Sequence, residues 1–81
     1  MIVRISKRAE KELDALPPAI RAEAWKHIRS LETFPYPRQS VKLKGSEDTY
    51  RIRIGSYRIL YVMDKNQITI MRIRHRREAY R

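Results

Sequence analysis

The sequence predicts an α+β domain in which a helical hairpin covers one face of a mostly antiparallel sheet. Two segments in the first half carry apolar residues at helical spacing, and two adjacent prolines separate them. The second half alternates apolar and polar residues, which is the pattern of half-buried strands. A chain of 81 residues has room for one hydrophobic core, so a single domain over residues 1–81 is expected.

The first half is predicted to form one short strand and two helices. Residues 2–5 (IVRI) form the strand, and Ser6 is the expected N-cap of a helix over residues 7–16. Pro17 and Pro18 end that helix and open a second one, expected from about Ala19 to Thr33. So short a connection makes the two helices antiparallel neighbours. The predicted buried residues are Ala9, Leu13 and Leu16 in the first helix and Ile20, Ala24, Ile28 and Leu31 in the second.

The second half is predicted to form four strands, rich in β-branched and aromatic residues. They are residues 41–44 (VKLK), 49–54 (TYRIRI), 57–63 (YRILYVM) and 67–75 (QITIMRIRH). Gly55 and Ser56 suit a type II′ turn, because glycine stands at the first central position, and this turn pairs Arg53 with Arg58. A three-residue turn over residues 64–66 is expected to pair Arg58 with Arg72.

This register sorts the side chains onto two faces, because paired residues point to the same side of a sheet. The face under the helices is expected to carry Ile52, Ile54, Tyr57, Ile59, Tyr61, Thr69, Met71 and Ile73. The open face is expected to carry Arg51, Arg53, Arg58, Arg72 and Arg74 at one end and Leu60, Val62, Ile68 and Ile70 at the other. An exposed apolar patch beside a basic one suggests a protein partner.

The chain is strongly basic, with 19 lysines and arginines against 9 acidic residues and a net charge of +10. Any one arginine is best explained as an ordinary solvated residue. Five arginines on one sheet face repel each other, and a polyanion relieves that repulsion. The open face is therefore predicted to bind nucleic acid or an acidic protein.

Several classes of protein are disfavoured by what the composition lacks. There is no cysteine, so disulfides and thiolate metal sites are excluded and a cytoplasmic protein is expected. No apolar run approaches the roughly 20 residues of a membrane span, and no membrane partner is expected. Two histidines and scattered acidic residues lack the spacing of metal ligands, so neither a metal site nor a cofactor is predicted.

Three segments closely resemble the RelE/ParE toxin superfamily: LKG (43–45), YRIRIGSYRILYVMD (50–64) and RIRHRREAYR (72–81). The order of a strand, a helical hairpin and antiparallel strands is similar as well. The resemblance implies a toxin of a type II toxin–antitoxin system that cleaves mRNA on the ribosome and thereby inhibits translation. It also implies a cognate antitoxin, expected to be acidic, in a hetero-oligomer with the toxin.

The resemblance also implies the residues of a nuclease site. Arg51, Arg53, Arg58 and Arg74 match the basic catalytic positions of the family, and Tyr80 matches its C-terminal tyrosine. Arginine suits phosphate binding and transition-state stabilisation but is a poor proton shuttle. Tyr80 is therefore the candidate for stacking on a base or for taking a proton.

Other residues are candidates for further RNA contacts. They are Lys42, Lys44, Arg72, His75 and Arg76. Strand lysines are more often simply solvated, and strict alternation places His75 on the helix-covered face, where a structural role is an equally good explanation.

Two other functions stay open from the sequence. ParE-like members share the fold and inhibit DNA gyrase without nuclease activity, and arginines here replace the lysine pair of the best-known RelE sequences. Charge alone also supports a non-catalytic nucleic-acid-binding module. Discrete cuts in a defined mRNA during in vitro translation separate a nuclease from both alternatives.

Overall fold

The computed structural model describes residues 2–33, 40–42 and 49–75, and gives the backbone alone for residues 40–42. Within these residues a five-stranded sheet carries two helices on one face, which confirms the predicted α+β class. In chain order the elements are β1 (Ile2–Ile5), α1 (Lys7–Asp14), α2 (Pro18–Ser30), β2 (Ser40–Lys42), β3 (Thr49–Ile54), β4 (Tyr57–Asp64) and β5 (Gln67–His75).

The sheet brings the two ends of the described chain side by side. Its strand order is β1-β5-β4-β3-β2, and β1 runs parallel to β5 while the other neighbours are antiparallel. The pairing of β1 with β5 ends at Ile5 and Ile70. Beyond Ile70, β5 therefore has a neighbouring strand on one side only, that of β4, among the residues that the structure describes.

Helix α1 begins where the sequence predicts it and α2 begins one residue earlier than predicted, and both helices end before their predicted ends. The Oγ atom of Ser6 accepts a hydrogen bond from the Ala9 N–H at 3.1 Å, so Ser6 is the N-cap of α1. Helix α1 ends at Asp14, two residues before the predicted end, and Pro17 precedes the start of α2. Helix α2 ends at Ser30 because the next three residues form tighter i to i+3 hydrogen bonds.

The core lies between the helices and the covered face of the sheet. Helices α1 and α2 and the turns that follow them contribute Ala9, Leu13, Leu16, Ala24, Ile28 and Leu31, with Ile20 packed at the margin, in agreement with the predicted buried residues. Its strand members are Ile52, Ile54, Ile59, Tyr61, Met63, Ile68, Ile70 and Ile73. Tyr50 stacks on Tyr61 with ring centroids 5.6 Å apart.

The hairpin between β3 and β4 has the predicted register. Arg53 lies opposite Arg58, and Ile54 lies opposite Tyr57 across the turn. Gly55 has a φ of 56°, a left-handed conformation that glycine adopts without steric cost. The positive φ at the first central position agrees with the predicted type II′ turn.

The predicted register between β4 and β5 is wrong. The turn between them has two residues, Lys65 and Asn66, so Asp64 pairs with Gln67. Leu60 pairs with Arg72 and Tyr61 with Ile70, which leaves Met71 as an extra residue in a β-bulge.

The bulge changes which residues of β5 lie in the core. Ile68 and Ile70 are fully buried, whereas the prediction placed them on the open face. Thr69 and Met71 were predicted under the helices, but Thr69 pairs with Val62 on the open face and Met71 is 41% exposed. The physical reason is that one extra residue lets Ile68, Ile70 and Ile73 all face the core, which strict alternation does not allow.

Neither helix in the described part of the chain is long and apolar enough to cross a membrane.

Candidate functional site

Three arginines stand side by side on the open face, one on each of the neighbouring strands β3, β4 and β5, next to the end of the sheet that carries the Gly55 turn. Arg58 in β4 lies directly opposite Arg53 in β3 and opposite Arg74 in β5. Directly opposed residues of antiparallel strands have Cβ atoms about 4.5–5.5 Å apart on the same side of the sheet. We call Arg53, Arg58 and Arg74 the arginine row.

The arginine row faces away from the helices. Ile52, Ile54, Ile59 and Ile73 are chain neighbours of the row residues, and all four are buried in the core. Because successive side chains of a strand point to opposite sides, the row projects from the other face of the sheet. The three guanidinium groups therefore start from adjacent positions on one surface.

Arg51 extends the arginine row by one step along β3. It stands two residues before Arg53, on the same side, and pairs with Leu60 of β4. Beyond Leu60 the open face continues with Val62, which is also half-buried. The apolar end predicted for this face therefore consists of Leu60 and Val62, since Ile68 and Ile70 belong to the core.

Exposure differs sharply among the four arginines. Arg58, at the centre, is 3% exposed, Arg51 and Arg74 are half-buried, and Arg53 is exposed. A guanidinium keeps its proton when it is buried, and its charge is screened less there than in water. An anion placed against the row would thus meet fixed positive charges with a fork geometry suited to phosphate oxygens.

Arg72 is held by a carboxylate. Its Nε and Nη2 atoms donate to Oε1 and Oε2 of Glu12 in α1, at 3.1 and 2.9 Å. The main-chain N–H of Ile73 donates to the same Oε1 at 2.9 Å. This ion pair ties the Arg72 guanidinium to α1, and the RNA contact predicted for Arg72 stays a prediction.

Glu12 is the site residue that the sequence did not indicate. Burial raises the pKa of its carboxyl group, but hydrogen bonds from Arg72 and from the Ile73 N–H, together with the charges of Arg72 and Arg8, outweigh burial and leave the pKa below its ordinary value. The one available signal was its place beside Leu13 at the border of the apolar stripe of α1. Its partner depends on where α1 lies against β5, which helical spacing does not reveal.

His75 lies on the opposite side of the sheet from the arginine row. It pairs with Tyr57, and the two rings meet edge to face with centroids 5.2 Å apart. His75 and Tyr57 also line a shallow cavity with Leu16, on the side of the sheet that carries the helices. The placement agrees with strict alternation and separates the predicted RNA contact of His75 from the row.

The remaining predicted site residues lie outside the described residues or at their margin. Lys44, Arg76 and Tyr80 are outside them. Lys42 pairs with Tyr50 at the end of β2, and its side chain is not described. The roles assigned to these four residues stay predictions.

Comparison with known proteins gives consistent matches over nearly the whole chain. Residues 3–80 match the family described as the ParE toxin of type II toxin–antitoxin systems, parDE. RelE1 of Methanocaldococcus jannaschii is 39% identical in an alignment 84 residues long, gaps included, which covers 98% of this chain and 93% of that protein.

Two crystal structures of archaeal complexes share the fold. A chain of the RelB–RelE antitoxin–toxin complex from Methanococcus jannaschii superposes with a TM-score of 0.83 at 28% identity, covering 95% of this chain and 94% of the other. A chain of the RelE–RelB complex from Pyrococcus horikoshii superposes with a TM-score of 0.82 at 33% identity, covering 93% of each chain. The family match covers residues 3–80, and the fold and the arginine-bearing sheet face agree with it. The chain therefore belongs to the RelE/ParE superfamily of type II toxin–antitoxin toxins.

Proposed function

We propose that the chain is a ribosome-dependent mRNA endonuclease, and that cleavage of mRNA inhibits translation. The observation that carries the proposal is the arginine row, in which Arg53, Arg58 and Arg74 stand in direct cross-strand register on one open face. The kinship with proteins named RelE supports this activity. Cytoplasmic location follows from the proposed substrate, because the ribosome and its mRNA are found there.

The proposed reaction is attack of a ribose 2′-OH on the adjacent phosphate. A bond forms between the 2′-oxygen and phosphorus, the bond from phosphorus to the 5′-oxygen breaks, and a proton passes to the leaving 5′-oxygen. The products are a 2′,3′-cyclic phosphate and a 5′-hydroxyl. Negative charge grows on the phosphate oxygens along this path, so preorganised cations stabilise the transition state more than the ground state.

The arginine row is suited to this task and leaves proton transfer to other groups. Arginine binds two phosphate oxygens at once and stays charged, so Arg53, Arg58 and Arg74, with Arg51 beside them, bind the phosphate and stabilise its extra charge. These arginines supply the positive charge that metal ions supply in other nucleases, and the reaction is proposed to be metal-independent. Tyr80 is proposed to stack on a base or to take the 2′-OH proton.

Dependence on the ribosome follows from the same chemistry. An arginine cluster with no strong base makes a slow nuclease on free RNA. A ribosome that holds the mRNA in a reactive geometry supplies the positioning that the toxin lacks, and positioning contributes about 7–11 kcal/mol in well-oriented reactions.

An acidic antitoxin is the proposed protein partner, in a hetero-oligomer with this chain. The archaeal structures that share the fold are complexes of RelE with the antitoxin RelB. A net charge of +10 favours an acidic partner, and a partner over the open face would cover Leu60 and Val62 while neutralising the row.

The decisive experiment adds the purified chain to ribosomes programmed with a defined mRNA. We expect discrete cuts with 5′-hydroxyl and 2′,3′-cyclic phosphate ends, and much slower cleavage when ribosomes are omitted. Arg58→Ala and Arg74→Ala should each lower the cleavage rate by about 10²- to 10³-fold, the usual loss when one transition-state donor is removed. The cleavage rate of Arg58→Lys should lie between those of wild type and Arg58→Ala, since lysine keeps the charge but cannot bind two phosphate oxygens at once.

Two matched controls separate the row from general positive charge. Arg4→Ala removes an exposed arginine from β1, on the open face but away from the row, and Arg29→Ala removes one from α2. Both should cleave at the wild-type rate. Wild-type rates in the Arg58 and Arg74 variants, or no cuts by the wild-type chain, would contradict the proposal.

Gyrase inhibition is the second candidate, because the matching family is named for ParE. The same purified chain is then added to DNA gyrase in a supercoiling assay. Inhibited supercoiling without mRNA cleavage identifies the gyrase inhibitor. RNA binding with neither activity identifies a non-catalytic nucleic-acid-binding module.

A further inference from the structure

Within the described part of the chain, the last stretch of β5 has no strand on one side at the point where it carries Arg74. Strand β1 pairs with β5 only as far as Ile70, and the chain then turns through Ser6 into α1. Ser6 donates from its N–H to the Ile70 carbonyl at 3.0 Å and from its Oγ to the Met71 carbonyl at 3.1 Å. The bulge at Met71 loosens the strand at the same place, because an extra residue interrupts the ladder.

Glu12 supplies the hydrogen-bond acceptor that a neighbouring strand would provide at this point of β5. Its Oε1 atom accepts from the Ile73 N–H at 2.9 Å, as a strand carbonyl would. Both carboxylate oxygens also accept from Arg72, which immobilises the residue before Ile73. Helix α1 is itself anchored, because Ala9 and Leu13 on either side of Glu12 are fully buried in the core.

Arg74 follows directly after the two residues that Glu12 holds. The side chain of Ile73 is buried under the helices, so that of Arg74 emerges on the open face beside Arg58. A displacement of the β5 backbone at Ile73 would move the Arg74 guanidinium relative to the rest of the row. The same carboxylate also balances the charge of Arg72, which stands two residues from Arg74.

We propose that Glu12 is a positioning residue of the nuclease site, which holds the end of β5 through Arg72 and the Ile73 N–H and so sets the place of Arg74 beside Arg58. The inference rests on the proposed function of the row. Helix α1, on the covered side of the sheet, thus helps to position an arginine on the open face.

The first test is a double-mutant cycle on programmed ribosomes. Glu12→Ala should lower the saturating cleavage rate by about 10- to 100-fold with little change in KM, because a misplacement near 1 Å costs about that much. The same substitution should have no further effect in an Arg74→Lys background and should keep its full effect in an Arg53→Lys background. Glu12→Gln should recover much of the rate, since its amide oxygen still accepts from the Ile73 N–H. Glu10→Ala, an exposed acidic residue of α1, is the matched control.

The second test does not depend on cleavage. In the ¹⁵N-labelled free chain, Glu12→Ala should speed amide hydrogen exchange at Ile73 and shift the Arg74 Nε resonance, while Glu10→Ala changes neither. Unchanged exchange and resonance in Glu12→Ala overturn the inference whatever the nuclease assay gives. An equal loss of rate in both arginine backgrounds also overturns it, because that pattern marks general destabilisation. If the wild-type chain does not cleave while the exchange and resonance change as expected, the proposed function fails and the structural role of Glu12 stands.

Discussion

Arg58 is buried at the centre of a row of like charges, although arginine is among the residue types least often buried. Its neighbours across both strands are arginines, so like charges stand side by side and folding must offset their mutual repulsion. A phosphate bound against the row reduces that repulsion. Such local conflicts between folding and charge are typical of functional sites.

The ion pair of Glu12 with Arg72 predicts a specific dependence of stability on pH. The pKa of Glu12 is lowered by folding, so its contribution is complete above the unfolded-state pKa, near 4.3. It is lost as the pH falls from there through the lower folded-state pKa. Glu12→Gln should therefore reduce the free energy of unfolding by about 1–3 kcal/mol at pH 7 and by progressively less below about pH 4.3.

Urea unfolding of the wild-type chain and of Glu12→Gln between pH 7 and pH 3 measures this difference. Glu10→Gln serves as the control and should differ little from wild type over the same range. A gap between wild type and Glu12→Gln that stays constant down to pH 3 would show that the Glu12 charge contributes nothing.

The two tight hairpin turns place different residue types in the same backbone conformation. Gly55 and Lys65 both have positive φ, 56° and 53°, at the first central position of a two-residue turn. Glycine reaches this region freely, whereas an L-residue with a side chain meets a steric penalty there. The turn at Lys65 therefore stores strain that the turn at Gly55 does not.

Exchanging the residue types at the two turns should have opposite effects on stability. Gly55→Ala should lower the free energy of unfolding by about 1–2 kcal/mol, the cost of a left-handed residue. This loss is conformational, because a Cβ at position 55 would meet nothing within 4 Å. Lys65→Gly should raise stability by a few tenths of a kcal/mol up to about 1, since relief of strain exceeds the added entropy cost.

Thermal or urea unfolding measures both variants, and Ser56→Ala controls for the turn position that has no positive φ. Gly55→Asn should fall between wild type and Gly55→Ala, because asparagine tolerates this region. Equal stabilities of wild type and Gly55→Ala would contradict the argument.

The sequence predicts most of the elements because their signals are local. Ser6, the proline pair and the Gly55 turn locate the element starts, and the register across Gly55 places Arg51, Arg53 and Arg58 on one face. The β4–β5 register was missed because Lys65 and Asn66 are not typical of a two-residue turn, and a longer turn preserved strict alternation. Ile68 and Ile70 stand two residues apart, but Ile73 follows Ile70 by three. Strict alternation cannot place all three in the core, so this spacing is the sign of a bulge in the sequence.

The whole molecule carries a net charge of +10, so the proposed binding of RNA should depend strongly on salt. For a single-stranded ligand, the slope of log affinity against log salt changes by about 0.7 for each phosphate that the protein no longer neutralises. Arg53→Ala should reduce the slope by about that amount, because Arg53 is the exposed member of the row. Arg29→Ala, in a helix on the covered side of the sheet, should leave the slope nearly unchanged.

Fluorescence anisotropy with a short 2′-O-methyl RNA measures this slope, since that RNA offers no 2′-OH for attack. Equal changes in slope for the two variants would mean that the RNA binds the positive charge of the molecule at large and not the open face.

The pairing of β1 with β5 has a consequence for a toxin made by the machinery that it is proposed to attack. Strand β1, synthesised before the other strands described, pairs with the last of them across 65 positions of the chain, as between Ile5 and Ile70. Arg53 and Arg58 leave the exit tunnel well before Arg74 does, so a nascent chain holds an unfinished site until β5 has emerged. Only then do all three guanidinium groups come together on the open face, so among the described strands the one synthesised last completes the arginine row.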